Sequence, residues 1–209
     1  PQADDALLEA IDGVLPGNDP LLRKEVILIS GHRDHLGHTP KGVPYAGAND
    51  DASGVAAMVE LARAFSKLKT NNKRTIMFVA FGAEEQAYMG SMYQAANPVP
   101  AAPNENIVLV ISIDMIGLGF DAWTSFSQAK KNRFAETWFQ EVYNGSATHK
   151  DAYSFEYPSN SDGSDPGDSF DYDVGPFAAL GISNRMIGIA DVPHYHTTKD
   201  TWKTVNFAA

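Results

Sequence analysis

Three runs in this chain are apolar on both faces for the length of a strand: Glu25 to Ser30, Thr75 to Phe81 and Ile107 to Ile113. Strict alternation would leave one face polar, so continuous runs of this kind belong to strands covered on both sides, as in a parallel sheet. A fourth run, Ile182 to Ile189, follows a short helical turn at Pro176 to Leu180. Between the first two runs the period changes. Val55, Met58, Val59, Ala62 and Phe65 recur at helical spacing and predict an amphipathic helix from Ala52 to Lys69. Met89-Gly90-Ser91 opens a shorter helix, and Lys130 to Asn144 carries Phe134, Trp138 and Val142 on one helical side. Ala6 to Val14 alternates loosely and stops at the turn signal Pro16-Gly17-Asn18-Asp19-Pro20. The stretches leading to Ala48, from Pro98 to Pro103 and from Asn160 to Asp173 read as loops. Strands alternating with helices predict an α/β architecture. Its core is a mixed, largely parallel central sheet flanked by helices on both faces, in one domain over residues 1–209.

Residues able to hold a metal stand where these runs stop. His32-Arg33-Asp34 follow the first run, Glu84-Glu85 the second, Asp114 the third and His194-Tyr195-His196 the last, while Asn49-Asp50-Asp51 precede the long helix. Sites in open α/β sheets gather beyond the carboxyl ends of the strands, so these clusters are expected to meet. Five donors with one shared carboxylate are what two neighbouring divalent cations need. Plainer roles compete. An Asp before a helix is commonly its N-cap, and Asp51 is read as one. The adjacent carboxylates Glu84 and Glu85, by contrast, are costly at the exit of an apolar strand unless positive charge compensates them. His35 and His38 read as loop or packing residues, and His149 as solvent-exposed. Tyr172 and Tyr195 are candidates to donate a hydrogen bond to a developing oxyanion. Trp123, Phe126, Phe155 and Phe177 read as core or pocket wall.

Composition narrows the classes. With 209 residues and 44% apolar content the chain is long enough for one sizeable core. A net charge of −10 argues against nucleic acid as a partner, because a phosphate-binding surface needs clustered Lys and Arg. The apolar runs are too short to span a bilayer. The lack of Cys excludes a disulfide scaffold and a thiolate metal site, and it is compatible with the secreted or periplasmic location expected here. A chain that starts at Pro1 reads as a processed form or an excised fragment.

The motifs also carry a resemblance. His32-Arg33-Asp34-His35-Leu36-Gly37, Gly47-Ala48-Asn49-Asp50-Asp51-Ala52-Ser53-Gly54 and Phe81-Gly82-Ala83-Glu84-Glu85 through Gly90-Ser91 stand in order with Asp114-Met115-Ile116-Gly117 and Tyr195-His196-Thr197 through Asp200-Thr201. In this order they resemble the M28 family of zinc aminopeptidases. One such motif is weak; five in sequence order, from about Val14 to Val205, are specific. The resemblance implies a zinc-exopeptidase fold and a metal-dependent exopeptidase that removes N-terminal residues from peptide substrates. It implies two Zn ions, with Co or Mn as possible substitutes. By position, Asp50 would bridge both metals, His32 and Asp114 would complete one, and Glu85 and His196 the other. Glu84 would be the general base that takes a proton from the attacking water. Asp34 would hold the His32 ring in its ligating tautomer. His196 is favoured over His194 because Thr197 and Asp200-Thr201 follow it. The resemblance further implies a non-proline cis peptide after Asp34.

There are departures. Asp173 matches an acidic position before the family's Pro-Phe pair, but Val174 stands where a His is common, and Arg33 is unusual beside a metal ligand. Helical sequence expected before the first strand and after the last ligand is short here. The 120–175 stretch is expected to shape the specificity pocket. Three alternatives stand beside peptide hydrolysis: a glutaminyl cyclase, a zinc acyltransferase on a similar fold; a non-catalytic binding domain; and an ester or amide hydrolase acting on a non-peptide substrate. The second predicts substitutions at Asp50, Glu84 or His196, and none is present.

Overall fold

The computed structural model describes residues 10–68, 72–118, 122–127, 172–189 and 192–207. Within them six strands make one sheet: β1 (Ile11–Leu15), β2 (Val26–His32), β3 (Thr75–Phe81), β4 (Ile107–Ile113), β5 (Ala122–Ser127) and β6 (Asn184–Ile189). The order is β1-β3-β2-β4-β6-β5. β2 runs parallel to β3 and β4, and β4 parallel to β6, while the flanking β1 and β5 are antiparallel. The sheet is thus mixed and largely parallel, as the unbroken apolar runs imply.

Among the described residues three α-helices flank it: α1 (Ala52–Lys67), α2 (Met89–Ala96) and α3 (Gly175–Ala179). Alternate residues of each strand feed two separate cores. On one face Val26, Leu28, Met77, Val79, Phe81 and Val110 pack with Val174 and Phe177 beside α2 and α3. On the other, Ile29, Ile76, Phe78, Ala80 and Ile113 pack against Met58, with Val55, Ala62 and Phe65 of α1 closing over them. Each fully buried side chain such as Leu28 or Phe81 contributes about 1.5–3 kcal/mol through its removal from water. Ile107 and Val110 share a face despite their odd separation. The β2–β4 register explains this: Val26 pairs with Ile107 but Ile27 pairs with Leu109, so β4 carries one extra residue there.

Three differences from the sequence reading have physical causes. β2 runs on to His32, past the expected end at Ser30, and His32 pairs with Phe81 because β3 offers a partner up to that position. β5 was not foreseen; among the described residues it is an antiparallel edge strand, set by its pairing with β6 and not by an apolar run of its own. Val59, expected on the buried face of α1, is 47% exposed, so the face that meets the sheet is narrower than the apolar stripe. The helix expected at 130–144, His149, Phe155 and the loop from 160 to 171 lie outside the described residues, as does most of the 120–175 stretch. Among the described residues no helix is long and apolar enough to cross a membrane.

Two glycines let the helices start close to the sheet. A Cβ at Gly54 would run into the carbonyl of Ile113 at the end of β4, and one at Gly90 into the carbonyl of Gly82 just past β3. Both helix starts are therefore pressed against strand ends that carry candidate site residues.

Candidate metal centre

His32 closes β2 with its side chain 2% exposed. Its Nδ1 lies 3.1 Å from the carbonyl oxygen of Asp34, which can only accept, so Nδ1 carries the proton and Nε2 is left as the donor to a cation. The Asp34 carboxylate is farther from that nitrogen, at 3.8 Å. It accepts instead the backbone N–H groups of Glu84 (3.1 Å) and Glu85 (3.3 Å). Asp34 thus orients His32 through its backbone, and its side chain anchors the loop after β3.

The loop before α1 is built from buried polar residues. Asp51 is the N-cap of α1: its Oδ1 accepts from Gly54 N–H at 2.9 Å and from Met115 N–H at 3.1 Å, and its Oδ2 from His32 N–H at 3.1 Å. One side chain therefore joins the helix start to the ends of β2 and β4. The non-proline cis peptide lies between Asp50 and Asp51, not after Asp34 as the resemblance implied. Asn49 accepts Gly117 N–H at 2.7 Å, and the N–H groups of Asn49 and Asp50 donate to Asp200.

Asp50 reaches in two directions. Its Oδ1 lies 3.1 Å from His32 Nε2, and its Oδ2 lies 3.3 Å from His196 Nε2 and 3.7 Å from His35 Nδ1. Asp114, placed by an N–H bond to the Ile187 carbonyl of β6, brings Oδ1 to 3.6 Å from His32 Nε2. The chain turns through the left-handed region at Ala83 (φ 55°), just before the neighbouring glutamates, which point to different donors. Glu84 Oε2 stands 3.9 Å from His32 Nε2, whereas Glu85 places Oε1 2.7 Å from His35 Nδ1 and Oε2 3.0 Å from His196 Nε2. His196 is itself in the left-handed region, at φ 54°, with the Tyr195 ring stacked on it at 3.7 Å.

All seven residues singled out from the sequence therefore meet at one edge of the sheet: His32, Asp34, Asp50, Glu84, Glu85, Asp114 and His196. His35, read from sequence as loop or packing, joins them. Its signal was its place three residues after His32, on the same loop as two other site residues. His38 and His194 are exposed. Phe177 is core, and Tyr172 packs against that core.

The electrostatics are those of a negative pocket. Burial pushes the Glu84 carboxyl up to about 8, helped by Asp173 and Asp114. At Glu85 burial acts the same way, but the His35 hydrogen bond and the nearby His196 outweigh it and hold the group below its ordinary value. Burial opposes charge on His32, yet Asp114 and Asp50 hold its proton affinity well above normal. Asp173 is fully buried beside Ser91, and burial lifts it to about 7. Asp50 Oδ2 and Asp114 Oδ1 are buried with no hydrogen-bond donor. Such oxygens are expensive unless a cation faces them. The residues fit one: His32, Asp50 and Asp114 form one group whose donor atoms lie within 4.8 Å of each other, and His35, Asp50 and Glu85 form a second.

Carboxylate and imidazole donors gathered at the carboxyl ends of parallel strands define an α/β protein with a centre suited to divalent cations. The chain belongs to peptidase family M28, whose sequence profile matches residues 11–209. It is 40% identical over 94 residues to a probable zinc metalloprotease of Pyrenophora tritici-repentis, covering 43% of this chain and 20% of that protein. Aminopeptidase YwaD of Bacillus subtilis is 27% identical over 183 residues, 85% of this chain and 36% of YwaD. The solved structure of an aminopeptidase from Aneurinibacillus sp. strain AM-1 matches with a TM-score of 0.66 and 29% identity, covering 94% of this chain and 43% of that one. The chain thus spans 20–43% of the length of these relatives.

Proposed function

We propose that this chain carries the active centre of a zinc-dependent aminopeptidase that hydrolyses N-terminal residues from peptides with two zinc ions. The observation that carries the reading is the division of Asp50, with Oδ1 3.1 Å from His32 Nε2 and Oδ2 3.3 Å from His196 Nε2. A carboxylate between two donor sets is the arrangement of a bridging ligand. His32, Asp50 and Asp114 would hold one ion, and Asp50, Glu85 and His196 the other. His35, on the second oxygen of Glu85, fixes that side chain. When bound, the ions supply positive charge that polarises the scissile carbonyl and makes water more acidic.

Glu84 is the general base in this reading. Its carboxylate takes a proton at Oε2 from the attacking water and returns it to the leaving amine. Asp34 keeps Glu84 and Glu85 in place by accepting both of their backbone N–H groups. The names of the relatives support the substrate class: two are aminopeptidases and one is a probable zinc metalloprotease.

The test is timed mass spectrometry of a mixed peptide pool incubated with the full-length protein, with chelator or with added zinc. Zinc-dependent loss of single N-terminal residues is expected. Loss of ammonia from peptides with N-terminal Gln would point to a cyclase instead, and an unchanged pool would refute peptide chemistry.

A further inference from the structure

We propose that Asp200 is a positioning residue of the metal centre, holding the Asn49–Asp50 backbone in the orientation from which Asp50 reaches both donor sets. This rests on the metal-binding reading above. Asp200 is 4% exposed, and its two oxygens are both occupied: Oδ1 accepts Asn49 N–H at 2.9 Å and Oδ2 accepts Asp50 N–H at 3.0 Å. Two N–H groups on one carboxylate are charge-assisted bonds that fix its orientation, and Asp200 belongs to neither group of donor atoms that could hold a metal. It acts through Asp50 and not as a ligand.

The turn that carries Asp200 also carries His196. Thr197 N–H and Thr197 Oγ1 both donate to the His194 carbonyl, and Asp200 N–H donates to the Thr197 carbonyl at 3.2 Å. One compact turn thus presents a candidate ligand and fixes another that lies 150 residues earlier in the chain. The linkage closes on itself. Asn206 N–H donates to Gly117 O at 2.7 Å, Gly117 N–H donates to Asn49 Oδ1 at 2.7 Å, and Asn49 N–H returns to Asp200. If Asp200 is lost, Asn49 is still tied to Gly117 and Asp51 still caps α1, so the loop stays attached while the aim of Asp50 relaxes. Removal of a partner at this remove from a metal typically weakens affinity about 10–100-fold.

The test is Asp200→Asn in the full-length protein. The new amide accepts one N–H and turns its own N–H₂ toward the other. Metal-free D200N is expected to unfold cooperatively within about 5 °C of wild type. Its zinc affinity, read by competition with a chromogenic chelator, should fall about 10–100-fold, and the absorption spectrum of the Co(II) form should shift. A purely structural role would lower the metal-free Tm and leave the Co(II) spectrum of the folded fraction unchanged, which overturns the proposal. So does unaltered affinity in a folded variant. If wild type itself binds no zinc, the metal-binding reading fails and the inference goes with it. Should D200N not fold, amide exchange in metal-free wild type decides: slow exchange at Asn49 and Asp50 supports the clamp, and exchange at the rate of an open loop overturns it.

Discussion

Glu84 and Glu85 are joined by one peptide bond, yet their surroundings push their proton affinities in opposite directions. Burial raises Glu84 to about 8, while His35 and His196 hold Glu85 low. Replacing Glu84 by Gln keeps the shape and removes the proton acceptor. Metal content should be unchanged and turnover should fall about 10²–10⁴-fold, read by peptide hydrolysis beside elemental analysis. Asp173 gives a pH signature. Its folded value is near 7 against an ordinary 3.8, so the stability it contributes is fully present at low pH and is lost as pH rises through about 7. In metal-free protein, Asp173→Asn should therefore gain on wild type by roughly 2–3 kcal/mol between pH 5 and pH 8, measured by urea unfolding. A gap that does not change with pH would show that Asp173 is not charged against its surroundings. At this scale the sequence was informative about which carboxylates and imidazoles belong to the site. It assigned His35 to loop or packing, because whether a loop histidine faces inward depends on the path of the loop.

The elements were legible wherever a hydrophobic run or period carried them. β2, β3 and β4 are buried on both faces and so are written as unbroken apolar runs, and α1 shows its stripe at helical spacing. β5 has no such signal, since an edge strand is specified by the partner it pairs with. The contact between elements is what makes Gly54 necessary. Alanine there would gain helix propensity, of the order of 1 kcal/mol, but its Cβ meets the Ile113 carbonyl. The clash should win, so Gly54→Ala is expected to lower stability by about 1–3 kcal/mol in chemical denaturation. A raised midpoint would show that the end of β4 yields.

Across the whole molecule, the donors come from five places: the end of β2, the loop before α1, and the loops after β3, β4 and β6. A cation bound among them joins segments that the backbone alone keeps separate, and it binds the native state only. Zinc at a hundredfold excess over its Kd should stabilise the protein by about 2.7 kcal/mol. For a domain of this size that raises Tm by roughly 5–10 °C over chelator-treated protein. Asp50→Ala should abolish most of the shift, because Asp50 serves both donor sets. A zinc-independent Tm in scanning calorimetry would count against a centre assembled from distant segments.

The amino-acid sequence by itself determined the parallel core, the long helix and the residues at strand ends, because burial on both faces, helical period and metal-type side chains are local properties of the chain. The tertiary structure decided what depends on distant segments. Asp50 divides between His32 and His196, Asp34 anchors Glu84 and Glu85 by their N–H groups, and Asp51 ties three elements together. Asp200 holds the backbone of a residue 150 positions away. Sequence spacing along a strand or helix reports which face a side chain takes. Only the folded chain sets which backbone amide a buried carboxylate meets, since that hydrogen bond is chosen by the relative placement of elements far apart in sequence.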